Sequence, residues 1–288
     1  MPMLRTVVRF GYAPLLLVGV NGAAIGAIAS GCGAICLSIL LLSAIAVSFA
    51  AEHLLPHNAD WNRSHDDAGR DFAHAFVNET ANFATLLLLP VLTQLAPGTG
   101  HWPSSWPFAL QVGLSLLVLD AGITLAHYAS HRVSLLWRFH AVHHSVRRMY
   151  GFNGLMKHPL HQAIETLAGT LPLLVLGLPS GVALALVFAV AVQLLLQHSN
   201  VDYTVGPFRW LLATNEVHRF HHRREPQLGD VNFGLFTTLW DHLLGTYLFE
   251  AREPFSSAEL GIADEPDYPS RYVPQLLAPF RRLDAGGG

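Results

Sequence analysis

Histidine is the residue type whose number and spacing stand out in this chain. There are 17, as many as the lysines and arginines together. Four places concentrate them: His127-Tyr-Ala-Ser-His131, His140-Ala-Val-His143-His144, the single His198, and His218-Arg-Phe-His221-His222. On a helix, residues three and four apart are neighbours on one face. Each H-x-x-H-H box therefore presents three imidazoles together, and His127 with His131 adds two more. Nine imidazoles from four segments exceed the four ligands that one tetrahedral zinc ion takes, so a dinuclear metal site is the economical reading. Imidazole suits iron, zinc, copper and nickel alike, which leaves the choice of metal to the surroundings.

The surroundings are apolar. Of 288 residues, 51% are hydrophobic and only 13% charged, against about 25% charged in soluble domains. A net charge of -3 creates no field that would gather nucleic acid or an acidic partner. Three stretches lack Asp, Glu, Lys and Arg altogether: Phe10 to Ala51, Thr80 to Leu119, and Thr166 to Val201. Each is about twice the roughly 20 residues of one crossing, and each has a turn near its middle: Ser30-Gly31-Cys32-Gly33, Ala96-Pro97-Gly98-Thr99-Gly100, and Gly177-Leu178-Pro179-Ser180-Gly181. Three apolar hairpins follow, and their polar connections share one side. All 17 Lys and Arg residues lie outside the hairpins, which makes that side cytoplasmic by the positive-inside rule, with Trp102 and Trp106 as an aromatic belt opposite.

The third hairpin is short, because Thr166 to Leu176 gives 11 residues before its turn, too few to cross. The expected fold is an all-α integral membrane protein with four spanning helices in two hairpins, a third, re-entrant hairpin, and a cytoplasmic helical cap carrying the histidine boxes. A signal peptide is set aside for the first helix, since a second apolar run follows at once. Residues 1–51 form the N-terminal hairpin, 52–250 the catalytic domain and 251–288 an irregular tail ending in a frayed Gly286-Gly287-Gly288. Cys32 and Cys36, four apart in an apolar run, read as packing residues.

Histidines gathered where such helices emerge change the choice of metal. A redox-active pair beside a bilayer can reduce dioxygen and take hydrogen from an alkyl chain that acid–base chemistry leaves untouched, which favours iron over zinc. The order HYASH, FHAVHH, QHSN and VHRFHH, followed by NFG and LWDHLLGT, resembles the fatty acid hydroxylase and sterol desaturase superfamily from Asp120 to Tyr247. Glu52-His53-Leu54-Leu55-Pro56 with Trp61-Asn62 looks like its bacterial members, which implies a bacterial cytoplasmic membrane with the active site on the cytoplasmic side. The resemblance implies two iron ions, dioxygen as co-substrate, and a lipid substrate that is hydroxylated or desaturated. It implies His127, His131, His140, His143, His144, His198, His218, His221 and His222 as metal ligands. At two places the chain departs from the pattern. Asp202 stands where some members carry a histidine, and His158-Pro159-Leu160-His161 stands where members often read H-P-L-E. The tenth ligand is then His158, His161, Asp202 or water. Electrons must come from a separate protein, cytochrome b5-like or a ferredoxin with its reductase, because the chain has no G-x-G-x-x-G unit and no haem or iron–sulfur segment.

Several residues around the boxes invite roles of their own. Asp120 lies two helical turns before His127, on the same face. Orienting a ligand imidazole through its other nitrogen is one role for it, and pairing with a facing helix is another. Glu216, Asp230, Asn232 and Asp241 can do similar work near the last box or cap helices. Arg147, Arg148, Arg219, Arg223 and Arg224 flank the boxes, either as topology signals or to meet headgroups or a redox partner. His53, His57, His65, His74, His101 and His242 fall outside the site. The rival reading is a zinc-dependent hydrolase or a cation carrier. A carrier places polar ligands near the bilayer midplane, and a hydrolase with about three ligands per metal leaves imidazoles over. A sterol, fatty acyl chain, ceramide, alkyl-glycerol ether or carotenoid all remain open as substrate.

Overall fold

The computed structural model describes residues 2–32, 34–95, 100–251 and 254–281. Among these residues the regular structure is helical, with three isolated β-bridges. The chain opens with α1, Pro2–Ala29, which widens to a π-helix over Leu15–Val20 just after Pro14, where the missing proline N–H breaks the regular ladder. It continues through α2 (Ala34–Leu54), α3 (Ala68–Leu95), α4 (Phe108–Ser130), α5 (Ser134–His144), α6 (Pro159–Leu176) and α7 (Ser180–His198). Short helices follow, among them α8 (Asn215–His221), α9 (Leu239–Leu244) and α10 (Tyr272–Leu277).

Among the described residues four helices have the length and apolar character of a bilayer crossing: α1, α2, α4 and α7. The number is as expected, but one member differs. The expected first arm of the second hairpin is the C-terminal part of α3, whose N-terminal turns bury Arg70, Asp71, His74 and Asn78. The turn read at Ala96 to Thr99 lies outside the described residues, as does the frayed Gly286 to Gly288. The third hairpin is longer than its charge-free stretch. His158 accepts from the Leu160 N–H at 3.1 Å and Pro159 takes the first helical position, so α6 starts seven residues before Thr166. Glu165 sits inside this helix because its charge is met by Lys157. Gly177, at φ 91°, ends α6 in the left-handed conformation that glycine tolerates, and α7 returns with the full length of a crossing.

α7 is the central post: 67% of its apolar window is buried, against 22% for α1 and 28% for α2. One face packs on Leu16, Ala24 and Ala44 of α1 and α2, the other on Val112, Leu119 and Leu173 of α4 and α6. α4 and α6 touch backbone to backbone, since a Cβ on Gly122 would lie 2.2 Å from the Ala168 carbonyl oxygen. Only glycine permits that approach. Leu117, Leu125, Leu171 and Val175 are exposed, as lipid-facing side chains are. At the far end of α1 from Arg5 and Arg9, Cys32 and Cys36 form a disulfide. This corrects the packing assignment: Cys32 precedes α2, so the pair is not held in helical i, i+4 geometry.

The polar connections fold into a cap around Trp61, Met149, Phe220, Phe255 and Leu260. Two of the arginines read as topology signals or contact groups are buried structural cations. Arg148 grips Asp67 with two hydrogen bonds of 2.8 and 2.7 Å and donates to the Trp61 carbonyl. Arg219 donates to the Ser199 and Val201 carbonyls. The tail is docked, not loose, as buried Gln275 on α10 meets His74 at 2.9 Å and donates to Ser145.

Candidate metal centre

α4 and α7 deliver His127 and His198 at their last turns, and α5 and α8 carry the two boxes across them. The ring nitrogens sort into two groups, each with its ligand atoms within 4.8 Å of one another: His127, His131, His140, His144 and His221, and His143, His198, His218 and His222. Each box is therefore split. His140 and His144 serve the first group and His143 the second, while His218 and His222 serve the second and His221 the first. Sequence spacing placed three imidazoles of a box together. The structure parts them because adjacent residues on a helix diverge by about 100°, so i+3 and i+4 fall to opposite sides of i.

Hydrogen bonds to the ring nitrogens remote from the groups fix the orientation. The Nδ1 atoms of His127, His143, His218 and His221 lie 2.9, 3.1, 3.4 and 2.8 Å from the carbonyl oxygens of Phe233, Met156, Asn232 and Val231. His131 Nδ1 lies 2.8 Å from Asp230. A carbonyl or carboxylate accepts only from N–H, so these rings carry their proton on Nδ1 and turn the Nε2 lone pair inward. Inward Nε2 atoms then meet at 3.0 Å (His127 and His140), 3.0 Å (His140 and His144), 3.1 Å (His198 and His218) and 3.2 Å (His218 and His222). For His198 and His218, whose Nδ1 atoms both face carbonyls, lone pairs face each other and repel at that range unless a cation lies between them. His221 Nε2 is buried without a partner.

Burial, then neighbouring imidazoles, holds His140, His143, His144, His218 and His222 well below the ordinary histidine pKa. Burial does most of the same for His221. The rings are thus neutral donors, the form a metal requires. For His131, burial lowers the pKa while Asp230 opposes it.

The residues proposed around the site divide. Asp120 touches none of the nine histidines. Its oxygens accept from the backbone N–H groups of Leu235, Phe236 and Thr237 and from the Thr237 hydroxyl, at 2.7 to 3.0 Å. Asp120 and His127 both meet the 233–238 loop, Asp120 at the donors of 235–237 and His127 at the Phe233 carbonyl. Asp241 holds the same loop through Phe233 N–H and Gly234 N–H, and the Gln193 and Gln197 amides of α7 hold its Leu235 carbonyl. Glu216 accepts from Thr204 and Val205, and the Asn232 side chain donates to Val217 and Leu248. Of the tenth-ligand candidates, His158 caps α6 and bonds Leu276, and Asp202 faces Arg9. His161 stacks against His140 with ring centroids 4.4 Å apart and meets Ser130 at 3.0 Å. Sequence reasoning passed over Lys157 and Glu165, a buried ion pair lining a small cavity with His127, His143, His198 and His218. The signal available was a lone charge inside an apolar helix.

On the polar side a cavity of about 410 Å³ reaches the first group between His131, Trp137, His144, Arg223, Asp230 and Glu265. Neutral imidazoles at the ends of apolar helices, interleaved between two groups, define a membrane metalloprotein of the histidine-box type. A family model described as fatty acid hydroxylase matches residues 112–246, a span holding all nine histidines. The chain is similar to the ornithine lipid hydroxylase OlsE of Rhizobium tropici, 32% identical over 254 residues, covering 85% of this chain and 76% of the relative. It is also similar to the alkylglycerol monooxygenase of Danio rerio, 29% identical over 150 residues, with 52% of this chain and 32% of that protein covered. Sphinganine C4-monooxygenase 2 of Arabidopsis thaliana is 27% identical over 146 residues, with 49% and 55% covered. No solved structure matches the chain. The chain belongs to the fatty acid hydroxylase family and is a membrane oxidoreductase.

Proposed function

We propose that this protein hydroxylates a C–H bond of a polar membrane lipid, using dioxygen, two iron ions and electrons from a separate carrier protein. One observation carries the reading: nine histidines fall into two groups, each with its ring nitrogens within 4.8 Å of one another. The group of five would hold one ion and the group of four the other. Bound iron supplies dioxygen reduction and the oxidising power for the C–H bond. The chain's own residues do the rest. The carbonyls of Phe233, Met156, Val231 and Asn232 and the Asp230 carboxylate orient the rings, and Asp120, Asp241, Gln193 and Gln197 hold the loop that supplies the first of those carbonyls.

The likeness to the Rhizobium tropici protein makes an ornithine lipid the first substrate to assay. The cap faces the cytoplasm, a reading supported by the one-sided Lys and Arg distribution. The test is metal analysis of the purified protein together with lipid profiles of cells with and without the gene. Two irons per chain and a lipid gaining one oxygen bear the proposal out. Stoichiometric zinc with no oxygen uptake would replace it with a hydrolase. Turnover by the purified chain on NAD(P)H alone would remove the separate electron carrier.

A further inference from the structure

A second cleft lies among the apolar helices and shares one wall residue with the histidine site. A cleft of about 100 Å³ runs between α3, α4, α6 and α7, walled by Leu119, Ile123, Leu174, Leu178, Leu186 and Val190. Its rim carries polar side chains: Glu79, Asn82, Thr85, Gln162, Thr166 and Thr170. Ile123 also lines the small cavity beside His127, His143, His198 and His218, which has room for about one water molecule. Ile123 is thus the side chain shared by cleft and metal site. It is 8% exposed and lies one helical turn before His127, about 6 Å along the axis. Its wall is stiff, because Gly122 and Gly169 lock α4 against α6 without a gap.

We infer that this cleft is a sideways port for the straight hydrocarbon chain of the substrate, and that Ile123 sets which chains reach the metal. The inference rests on the proposed lipid hydroxylation and narrows its substrate class. Two observations choose the occupant. The walls are mostly aliphatic, with Glu79 the one carboxylate among them, and share Ile123 with the cavity beside the histidines, whereas the polar-side cavity is lined by Arg132, Arg223, Arg224, Asp230, Asp264 and Glu265. The volume is well below the roughly 300 Å³ at which pockets begin to take drug-sized ligands, so a slender chain fits where a fused-ring sterol does not. The polar rim suits the ester, amide or hydroxyl group where such a chain joins its head.

The experiment uses the full chain in liposomes with two photoactivatable probes, a phospholipid bearing a diazirine in its acyl chain and a diazirine sterol. The acyl probe is expected to label Leu174, Leu178 or Leu186 and to be competed by unlabelled straight-chain lipid, while the sterol labels only outward residues such as Leu171 and Val175. Labelling of the cleft by the sterol, or of outward residues alone by both probes, would overturn the port. Ile123→Trp is expected to lower lipid turnover at least about tenfold with iron content and thermal midpoint kept. Leu117→Trp, on the exposed face of the same helix, leaves turnover unchanged. Ile123→Ala, which should fold if the tryptophan variant does not, is expected to admit methyl-branched chains that the parent rejects. Unaltered turnover and chain selectivity in the Ile123 variants would also overturn the inference. The labelling needs neither metal nor catalysis, so a protein that binds no iron would end the proposed function and still decide the port.

Discussion

Replacing Asp120 by alanine tests how the fold holds the metal site at one remove. The carboxylate accepts four hydrogen bonds from the 235–237 segment and is fully buried. A hydrogen bond to a charged group is worth about 1.5–3 kcal/mol, so the gross loss reaches about 6–12 kcal/mol. The net loss is smaller. Phe236 and Thr237 are only half-buried and can take water, Asp241 still holds Phe233 and Gly234, and the cost of burying a carboxylate disappears with it. About 3–5 kcal/mol is the expected destabilisation, the range for breaking a buried charged pairing. Asp120→Asn should cost about 1–3 kcal/mol, since one carbonyl oxygen still serves two backbone donors while its amide faces Thr237. The consequence for the site runs through Phe233, whose carbonyl accepts from His127 Nδ1–H. Iron per folded chain should fall in Asp120→Ala and less in Asp120→Asn, measured after detergent extraction alongside thermal unfolding. An Asp120→Ala protein with full iron and a parental unfolding midpoint would show that the loop stands without its anchor.

Four further outcomes follow from named contacts. His143→Ala should strip iron and product formation together, because it empties one place in the group of four, whereas His101→Ala, at an exposed position remote from both groups in sequence, should leave both near the parental level; equal iron in the two variants would count against the ligand assignment. Asp67→Asn leaves the Arg148 guanidinium buried beside a neutral amide and should cost about 3 kcal/mol at neutral pH. Burial pushes the Asp67 carboxyl up, but hydrogen bonding and charge from Arg148 win and hold it below its ordinary value. Its contribution is therefore complete above the unfolded value near pH 4 and is lost as pH falls through the lower folded value, so parent and variant should converge in acid, and a gap unchanged at pH 2 would contradict the pairing. Gly122→Val must push α4 from α6, since even its Cβ meets the Ala168 carbonyl at 2.2 Å; a loss of about 1–3 kcal/mol in detergent unfolding is expected. Arg147→Cys should be shielded from an impermeant thiol reagent in intact cells and Ser104→Cys labelled, both being exposed positions; the reverse pattern would invert the topology.

The amino-acid sequence alone determined that the chain lies in a membrane, that its chemistry gathers at one end of the apolar helices, and which nine histidines come together. Charge-free length and i, i+3, i+4 spacing, both of them local, carry all of this except His198, which stands alone and is singled out by its place at the end of an apolar run and by the family resemblance. Tertiary structure decided how the histidines divide. The two boxes interleave because α5 and α8 cross the ends of α4 and α7, and no spacing within one segment reports how it crosses another. It also decided the work of single polar residues. Asp120 read as a ligand's helper or a partner for a facing helix, and Arg148 and Arg219 as topology signals or contacts to headgroups or a redox partner, yet they are spent on backbone, on a distant carboxylate and, for Arg219, also on His57. Their partners stand 18 to 162 residues away in sequence, and which partner a buried charge finds depends on what the fold brings within about 3 Å of it. The start of α6 was hidden for a related reason: Glu165 marked the edge of a charge-free stretch, and only the folded chain places Lys157 where it neutralises that charge within the helix.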